Sequence, residues 1–125
     1  MKALLFVAHG SRKETSNDEI RQLTKSISNN DASFDLIDCA FLELAEPDIL
    51  SSGQNLIDRG ATSILVFPYF LVAGRHVVTD VPQDVEKIRK QNPDIDITIA
   101  PYFGAADAIV DQVLLQLDEQ VKIHL

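Results

Sequence analysis

The fold is decided by residues 2–8, KALLFVA, which run directly into His9 and Gly10. After Lys2 every residue of this stretch is apolar, which is typical of a strand buried on both faces of a parallel sheet. Three further, mainly apolar stretches predict strands at residues 34–41 (FDLIDCAF), 62–68 (TSILVFP) and 95–100 (IDITIA). The sequence therefore predicts four strands that are spread along the whole chain.

A helix is predicted after each strand, because apolar residues recur there at helical spacing. The predicted helices are residues 14–29, with Ile20, Leu23 and Ile27; Pro47 to about Arg59, ended by Gly60; a helix with Val81, Val85 and Ile88 that ends before Pro93; and residues 105–121, with Ile109, Val113, Leu117 and Val121. The whole pattern is βαβαβαβα.

Alternating strands and helices predict a parallel sheet, because parallel strands need crossover connections and these are right-handed. The simplest arrangement is a flavodoxin-like α/β three-layer sandwich, with helices on both faces of a four-stranded parallel sheet of order 2-1-3-4. Residues 1–125 are predicted to form this single domain. Ligands of such sheets bind beyond the carboxyl ends of the strands, here between strands 1 and 3.

Composition and charge exclude several classes of function. The chain has 46% hydrophobic residues and a net charge of −8, which argues against binding to nucleic acid or to an anionic membrane surface. No apolar run reaches the roughly 18 residues of a membrane span. The apolar start is too short for a signal peptide, so we expect a cytoplasmic protein. The single cysteine, Cys39, is interpreted as a packing residue of a strand.

Two histidines follow the strands that should be neighbours. His9 comes directly after strand 1, and His76 lies in the loop after strand 3, 67 positions later. Glu43 and Glu46 follow strand 2, on the other side of strand 1. Two imidazoles and a carboxylate from three loops predict a site for a divalent metal such as iron, cobalt, nickel or zinc. The third histidine, His124, is expected to be solvated.

The stretch 68–76 (PYFLVAGRH) is unusually apolar for a loop. One interpretation is that it packs under a neighbouring helix or subunit. The other is that it forms an apolar wall for a large flat ligand. The residues alone leave both open.

The chain resembles the short-form CbiX-type sirohydrochlorin chelatases, which are class II chelatases that need no ATP. Three stretches carry the resemblance: residues 8–12 (AHGSR), 41–47 (FLELAEP), and 68–76 followed by Asp80-Val81-Pro82. They occur in the family's order and spacing from residue 3 to about residue 90. After strand 4 the chain has Pro101-Tyr102-Phe103-Gly104, where family members often have Pro-Leu-Gly and another histidine, so the role of this last loop stays open.

The resemblance implies a role for each candidate residue. His9 and His76 would bind the incoming metal, with His9 also accepting protons from the macrocycle, and Glu43 would be the carboxylate nearest the metal. Whether Glu43 or Glu46 faces the metal stays open at this point. The residues implied to contact the tetrapyrrole are Glu46, Arg12, Leu71, Val72, Ala73, Gly74 and Arg75.

The implied function is that of a lyase that inserts a divalent metal into sirohydrochlorin in cobalamin or siroheme biosynthesis. Co²⁺ and Fe²⁺ are favoured and Ni²⁺ is a further candidate, each as a substrate, with no permanently bound cofactor. The tetrapyrrole is a polycarboxylate, so Arg12, Lys13 and Arg75 are expected to offset the acidic charge of the protein locally. The resemblance also implies a homodimer.

Two other functions are compatible with the residues. A non-catalytic carrier of metal or tetrapyrrole would need the same pocket and the same ligands. Phosphoryl transfer through a phosphohistidine is the second alternative, because His9-Gly10 after strand 1 resembles the histidine phosphatases. Those enzymes place an arginine directly before the histidine, whereas this chain has Ala8.

Overall fold

The computed structural model describes residues 1–125 apart from the side chain of His76. All four predicted strands form: β1 (Lys2–Ala8), β2 (Leu36–Phe41), β3 (Ser63–Pro68) and β4 (Asp96–Ile99). They are all parallel, in the order β2-β1-β3-β4. The predicted fold class and strand order are therefore confirmed.

Four α-helices alternate with the strands, namely α1 (Glu14–Asn30), α2 (Ile49–Asp58), α3 (Val81–Gln91) and α4 (Ala108–His124). A π-helical turn, His76–Asp80, leads directly into α3, and a 3₁₀ turn, Phe103–Ala105, precedes α4. Within the described part of the chain, no helix is long and apolar enough to cross a membrane.

The predicted start of α2 at Pro47 is wrong. The carbonyl of Pro47 accepts a hydrogen bond of 2.8 Å from the N–H of Phe41, which ties Pro47 to the end of β2. The helix begins instead after Asp48, whose carboxylate accepts a 2.7 Å bond from the N–H of Ser51. Asp48 therefore satisfies one of the N–H groups left unpaired at the start of α2. Gly60 ends the segment as predicted, with φ of +110°.

Removing this cap provides a test of the helix start. Asp48→Ala is expected to lower the free energy of unfolding by about 1 kcal/mol near neutral pH. The bond from Ser51 lowers the pKa of Asp48, so its stabilising effect is present above the usual carboxyl range and is lost as pH falls through the lowered folded-state pKa. In urea unfolding, the free energies of unfolding of the wild type and of Asp48→Ala should therefore approach each other as the pH is lowered from about 5 to about 3.

Asp48→Asn is the matched control, because asparagine caps a helix without titrating. The difference in the free energy of unfolding between Asp48→Asn and Asp48→Ala should not vary with pH. A pH-independent difference between the wild type and Asp48→Ala would show that the charge of Asp48 does not contribute.

The main hydrophobic core lies between the sheet and the pair α2 and α3. Alternate residues of β1 point into it, and they pack with buried residues from β3 and both helices. The core residues of β1 and the two helices are Ala3, Leu5, Val7, Ile49, Leu56, Val81, Val85 and Ile88. Burial raises the pKa of the Cys39 thiol in β2, so this group stays protonated at neutral pH, as a packing residue would.

The opposite face of the sheet is covered only in part, by α1. Leu4 and Phe6 of β1 reach Leu23 and Ile27 of α1, and together they line an open apolar groove of about 340 Å³. The apolar stripe predicted for the last helix is present, but no residue of α4 is buried. Among the elements of this chain, α4 contacts mainly the turn Phe103–Ala105. Its own sheet therefore does not bury this helix.

Candidate active site

The loops after β1 and β2 lie side by side, because the parallel pairing of these strands continues beyond their ends. The N–H of Leu42 donates to the carbonyl of Ala8 at 2.9 Å, and the N–H of Glu43 donates to the carbonyl of His9 at 3.0 Å. This backbone pairing brings the two side chains together. Nε2 of His9 lies 3.1 Å from Oε1 of Glu43.

The other ring nitrogen of His9 determines the proton arrangement. Nδ1 lies 2.9 Å from the carbonyl oxygen of Gly10, and because a carbonyl can only accept, Nδ1 carries a proton. In a neutral ring, Nε2 then presents a lone pair towards the carboxylate of Glu43. The lone pair of Nε2 and those of the carboxylate repel each other unless a cation, either a proton or a metal ion, lies between them. The pair is therefore suited to binding a metal and to accepting a proton.

Gly10 allows the two loops to approach this closely. Its φ is +94°, and a Cβ at this position would lie 1.9 Å from the carbonyl oxygen of Glu43. Only glycine combines this backbone conformation with the absence of a side chain. The distance between His9 and Glu43 thus depends on Gly10.

A buried asparagine on α1 fixes the loop after His9. Asn17 is 1% exposed; its Oδ1 accepts from the N–H of Ser11 at 2.9 Å, and its Nδ2 donates to the carbonyl of Ser11 at 2.8 Å. Nδ2 also donates to Glu14 at 3.2 Å. The same side chain thus satisfies both backbone groups of Ser11, which holds the loop against α1.

Arg21 of α1 fixes the loop after β2. Its guanidinium donates to the carbonyl of Glu46 at 3.1 Å and lies 5.3 Å from the centre of the Phe41 ring. It also donates to Glu14 and to Asp18. These bonds, chiefly the one with Glu14, raise the pKa of Arg21, and the same contact holds the pKa of Glu14 below its usual range.

Sequence reasoning missed Asn17 and Arg21. Their signal was the spacing of Glu14, Asn17 and Arg21, which places three polar residues on one face at the start of a helix. That end of α1 points towards the carboxyl edge of the sheet, where the candidate residues lie.

Of the two glutamates, Glu43 is the one whose carboxylate contacts His9. Glu46 contributes its backbone carbonyl to Arg21, and its side chain is exposed. The backbone pairing of the loops after β1 and β2 places Glu43 opposite His9, and which of the two glutamates faces a metal ion stays a prediction.

The loop after β3 lies next to β1, as the strand order requires. The N–H of Tyr69 donates to the carbonyl of Val7 at 2.7 Å. Beyond it, the five residues of this loop that are predicted to contact a tetrapyrrole are all exposed: Leu71, Val72, Ala73, Gly74 and Arg75. The apolar side chains Leu71 and Val72 therefore face solvent rather than the core.

The side chain of His76 lies outside the described residues, so convergence of the two imidazole rings stays a prediction. The backbone at His76 begins the turn His76–Asp80, and β1 and β3 are neighbours. In the described part of the chain, no group of three or more His, Cys, Asp and Glu side chains could hold a metal ion.

The loop after β4, whose role the sequence left open, supports the loop after β3. The N–H of Gly104 donates to the carbonyl of Phe70 at 2.9 Å, and a Cβ on Gly104 would lie 1.7 Å from the carbonyl oxygen of Leu71. The ring of Phe103 lies 5.3 Å from that of Tyr69. The position of Leu71 thus depends on this last loop.

Basic residues follow two neighbouring strands at the same edge. Arg12 and Lys13 are exposed between β1 and α1, and Arg75 is exposed after β3.

The third histidine, His124, is the last residue of α4 and is exposed. The structure therefore agrees with the expected solvation of His124.

Comparison with known proteins gives consistent matches. The model of the CbiX family matches residues 3–120. The sirohydrochlorin ferrochelatase of Priestia megaterium is 31% identical over 120 residues, which cover 95% of this chain and 44% of the relative. The sirohydrochlorin cobaltochelatase of Saccharolobus solfataricus is 30% identical over 125 residues, with 95% of each chain covered.

A solved structure, SirB from Bacillus subtilis with Fe³⁺, superimposes with a TM-score of 0.87 at 26% identity, covering 99% of this chain and 48% of that chain. The chain thus spans about half the length of several curated relatives and nearly the full length of others. Since the family model matches almost all of its residues, the chain belongs to the CbiX family.

Proposed function

We propose that this protein is a chelatase that inserts Co²⁺ or Fe²⁺ into sirohydrochlorin. The observation that carries the proposal is the pair formed by His9 Nε2 and Glu43 Oε1 at 3.1 Å, at the carboxyl edge of the sheet. The names of the relatives support the substrate, since they include both ferrochelatases and cobaltochelatases. Ni²⁺ is compatible with the same ligands.

Metal insertion requires the ion to lose water and the macrocycle to lose two pyrrole protons. Neutral imidazoles can replace water ligands without holding the ion irreversibly. In this proposal His9 and His76 bind the incoming metal, and after the metal has passed to the macrocycle Nε2 of His9 accepts the two pyrrole protons one after the other, releasing the first before it takes the second. Glu43 then stabilises the imidazolium or passes the proton to solvent, which reaches both side chains.

The tetrapyrrole is proposed to lie against the exposed loop that contains Leu71, Val72, Ala73 and Gly74. The apolar side chains of this loop suit the flat face of the macrocycle. Arg12, Lys13 and Arg75 are proposed to pair with its carboxylates. These local charges would offset the net charge of −8. Glu46 is proposed to contact a polar edge of the same ligand.

The remaining parts of the proposal concern the whole molecule. Residues 1–125 form one domain, two copies form a homodimer, and the protein acts in the cytoplasm without a permanently bound cofactor. The pathway is cobalamin biosynthesis if the metal is cobalt and siroheme biosynthesis if it is iron.

A turnover assay tests the function. Purified protein is incubated with an excess of sirohydrochlorin and Co²⁺ or Fe²⁺, and the absorption spectrum of the metallated product is followed against a protein-free control. The proposal predicts many product molecules per protein chain. Product that stops at about one per chain would identify a carrier instead, and no acceleration over the control would refute both functions.

The two glutamates are predicted to differ in how they affect catalysis. Glu43→Gln should lower kcat about 100-fold, because glutamine can contact His9 but cannot take up its proton. Glu46→Gln should mainly raise KM for sirohydrochlorin, because a binding contact is lost. Steady-state kinetics with both substrates measure the difference. A kcat for Glu43→Gln within a few-fold of the wild type would exclude the proposed role of Glu43.

A further inference from the structure

The helix α1 packs against the sheet with a polar face. Its buried residues are Asn17 and Thr24, whereas its apolar residues Leu23 and Ile27 line the open groove. A polar side chain that is removed from water is unfavourable unless it is hydrogen-bonded, and Asn17 meets this requirement with three hydrogen bonds. A fully bonded buried polar group rigidifies its partners and specifies one arrangement of them.

Three side chains of α1 join the loops after β1 and β2 through one series of hydrogen bonds. Asn17 holds both backbone groups of Ser11, at 2.9 and 2.8 Å, and donates to one carboxylate oxygen of Glu14 at 3.2 Å. The other carboxylate oxygen of Glu14 accepts from Arg21. Arg21 in turn donates to the carbonyl of Glu46 at 3.1 Å. We call Glu14, Asn17 and Arg21 the α1 link.

The two ends of the α1 link lie close in sequence to the two residues of the candidate active site. Ser11 is two positions after His9, and Glu46 is three positions after Glu43. Between these anchors, the N–H of Glu43 donates to the carbonyl of His9 at 3.0 Å. The two loops are therefore joined twice, once directly and once through the helix.

We propose that the α1 link positions His9 against Glu43 for metal insertion, so that its members are positioning residues. The inference deepens the proposed function and rests on it, because it takes these two side chains as the groups that move the proton. Catalytic groups must be held closely in place, since a displacement of about 1 Å can lower a rate by about 100-fold. A link that fixes the separation of the two loops therefore contributes to the rate.

The α1 link should affect the rate more than the stability. The side chains of Glu14 and Arg21 are 66% and 35% exposed, and an ion pair at such a surface position adds little to the free energy of unfolding. Asn17, in contrast, is buried, so its replacement would also disturb folding. The link is therefore best tested at its two exposed members.

Three single substitutions test the link. Glu14→Ala interrupts it, Arg21→Met removes its donors but keeps an unbranched side chain, and Asp18→Ala is the matched control. Asp18 also accepts from Arg21 and is similarly exposed, at 61%, but it lies outside the link. We expect kcat to fall about 5-fold for Glu14→Ala and about 10-fold for Arg21→Met, and to stay within about twofold of the wild type for Asp18→Ala.

Two further measurements separate positioning from a general loss of structure. The midpoint of urea unfolding should stay close to that of the wild type in all three variants, because the substituted side chains are at least partly exposed. For Glu14→Ala, KM for sirohydrochlorin should change less than kcat, because the loop from Leu71 to Arg75, which is proposed to bind the tetrapyrrole, follows β3 rather than β1 or β2.

Hydrogen exchange of single backbone amides measures the pairing of the loops without metal or tetrapyrrole. An amide that is released by local opening exchanges faster. The N–H of Glu43, which is bonded to the carbonyl of His9, should exchange about 5-fold faster or more in both link variants but not in the control. The N–H of Tyr69, which is bonded to the carbonyl of Val7 on the other side of β1, should exchange at the wild-type rate in every variant.

Three results would overturn the inference. The first is an equal kcat for Glu14→Ala and Asp18→Ala, and the second is a wild-type exchange rate at Glu43 in both link variants. The third is faster exchange with an unchanged kcat, which would show that the separation of the loops does not limit the reaction. A wild-type protein that inserts no metal would instead refute the proposed function, and the exchange rates would still show whether the link holds the loops together.

Discussion

His9→Ala is expected to lower the rate of metal insertion into sirohydrochlorin by at least about 100-fold, to the limit of detection, while the circular dichroism spectrum stays unchanged. The physical reason is that Nε2 of His9 would serve both as a metal ligand and as the acceptor of a pyrrole proton, and alanine can do neither. His9 lies beyond the end of β1 and is half-exposed, so its removal leaves the core intact.

His76→Ala is expected to have an effect of similar size, because the metal would lose one of its two imidazole ligands. The matched control is His124→Ala, which removes the third histidine from the exposed end of α4 and should leave the rate of insertion unchanged. Initial rates with Co²⁺ and Fe²⁺ provide the measurement. If either His9→Ala or His76→Ala kept a rate within a few-fold of the wild type, that histidine would have no part in the chemistry.

Gly10→Ala should impair both stability and activity. The added Cβ would lie 1.9 Å from the carbonyl oxygen of Glu43, on a backbone with φ of +94°. A side chain in this conformation costs about 1–2 kcal/mol, and relief of the clash must separate the two loops. We expect a total loss of about 2–4 kcal/mol in the free energy of unfolding, with loss of the contact between His9 and Glu43.

Gly74→Ala is the matched control for stability, because a Cβ on Gly74 would have no atom within 4 Å. Its free energy of unfolding should stay within about 0.5 kcal/mol of the wild type. Denaturant unfolding of both variants measures the difference. Equal stabilities for Gly10→Ala and Gly74→Ala would mean that the loops after β1 and β2 are not held together as described.

Much of the fold could be predicted from the sequence, because strands and helices have different apolar periods. The run of residues 2–8 identified β1, and the alternation of elements predicted the parallel sheet and its order. The start of α2 could not be predicted in the same way. Both Pro47 and Asp48 are typical of helix starts, and the choice depends on a bond from Phe41 that only the folded chain makes.

The packing of the last helix could not be predicted from the sequence either. The stripe of α4 was visible as a pattern, but a stripe does not reveal which surface it covers. In the structure it does not cover its own sheet. Tertiary packing, rather than local periodicity, decides this part of the fold.

The candidate site could be located but not detailed. The rule for ligand positions in parallel sheets placed His9, Glu43 and Glu46 at one edge. The distinction between the two glutamates depends on a backbone bond between the loops after β1 and β2, and the supporting roles of Asn17 and Arg21 depend on how α1 packs. These contacts join residues that are distant in sequence, so no local pattern reveals them.

The central claim is that imidazoles from the loops after β1 and β3 bind the same metal ion. Proton NMR of the protein with bound Co²⁺ tests it directly, because the ring N–H of a histidine that binds paramagnetic cobalt gives a strongly shifted, exchangeable signal. The wild-type protein should show two such signals, and His9→Ala and His76→Ala should each lose one. A shifted spectrum that is the same in the wild type and in both variants would contradict the account.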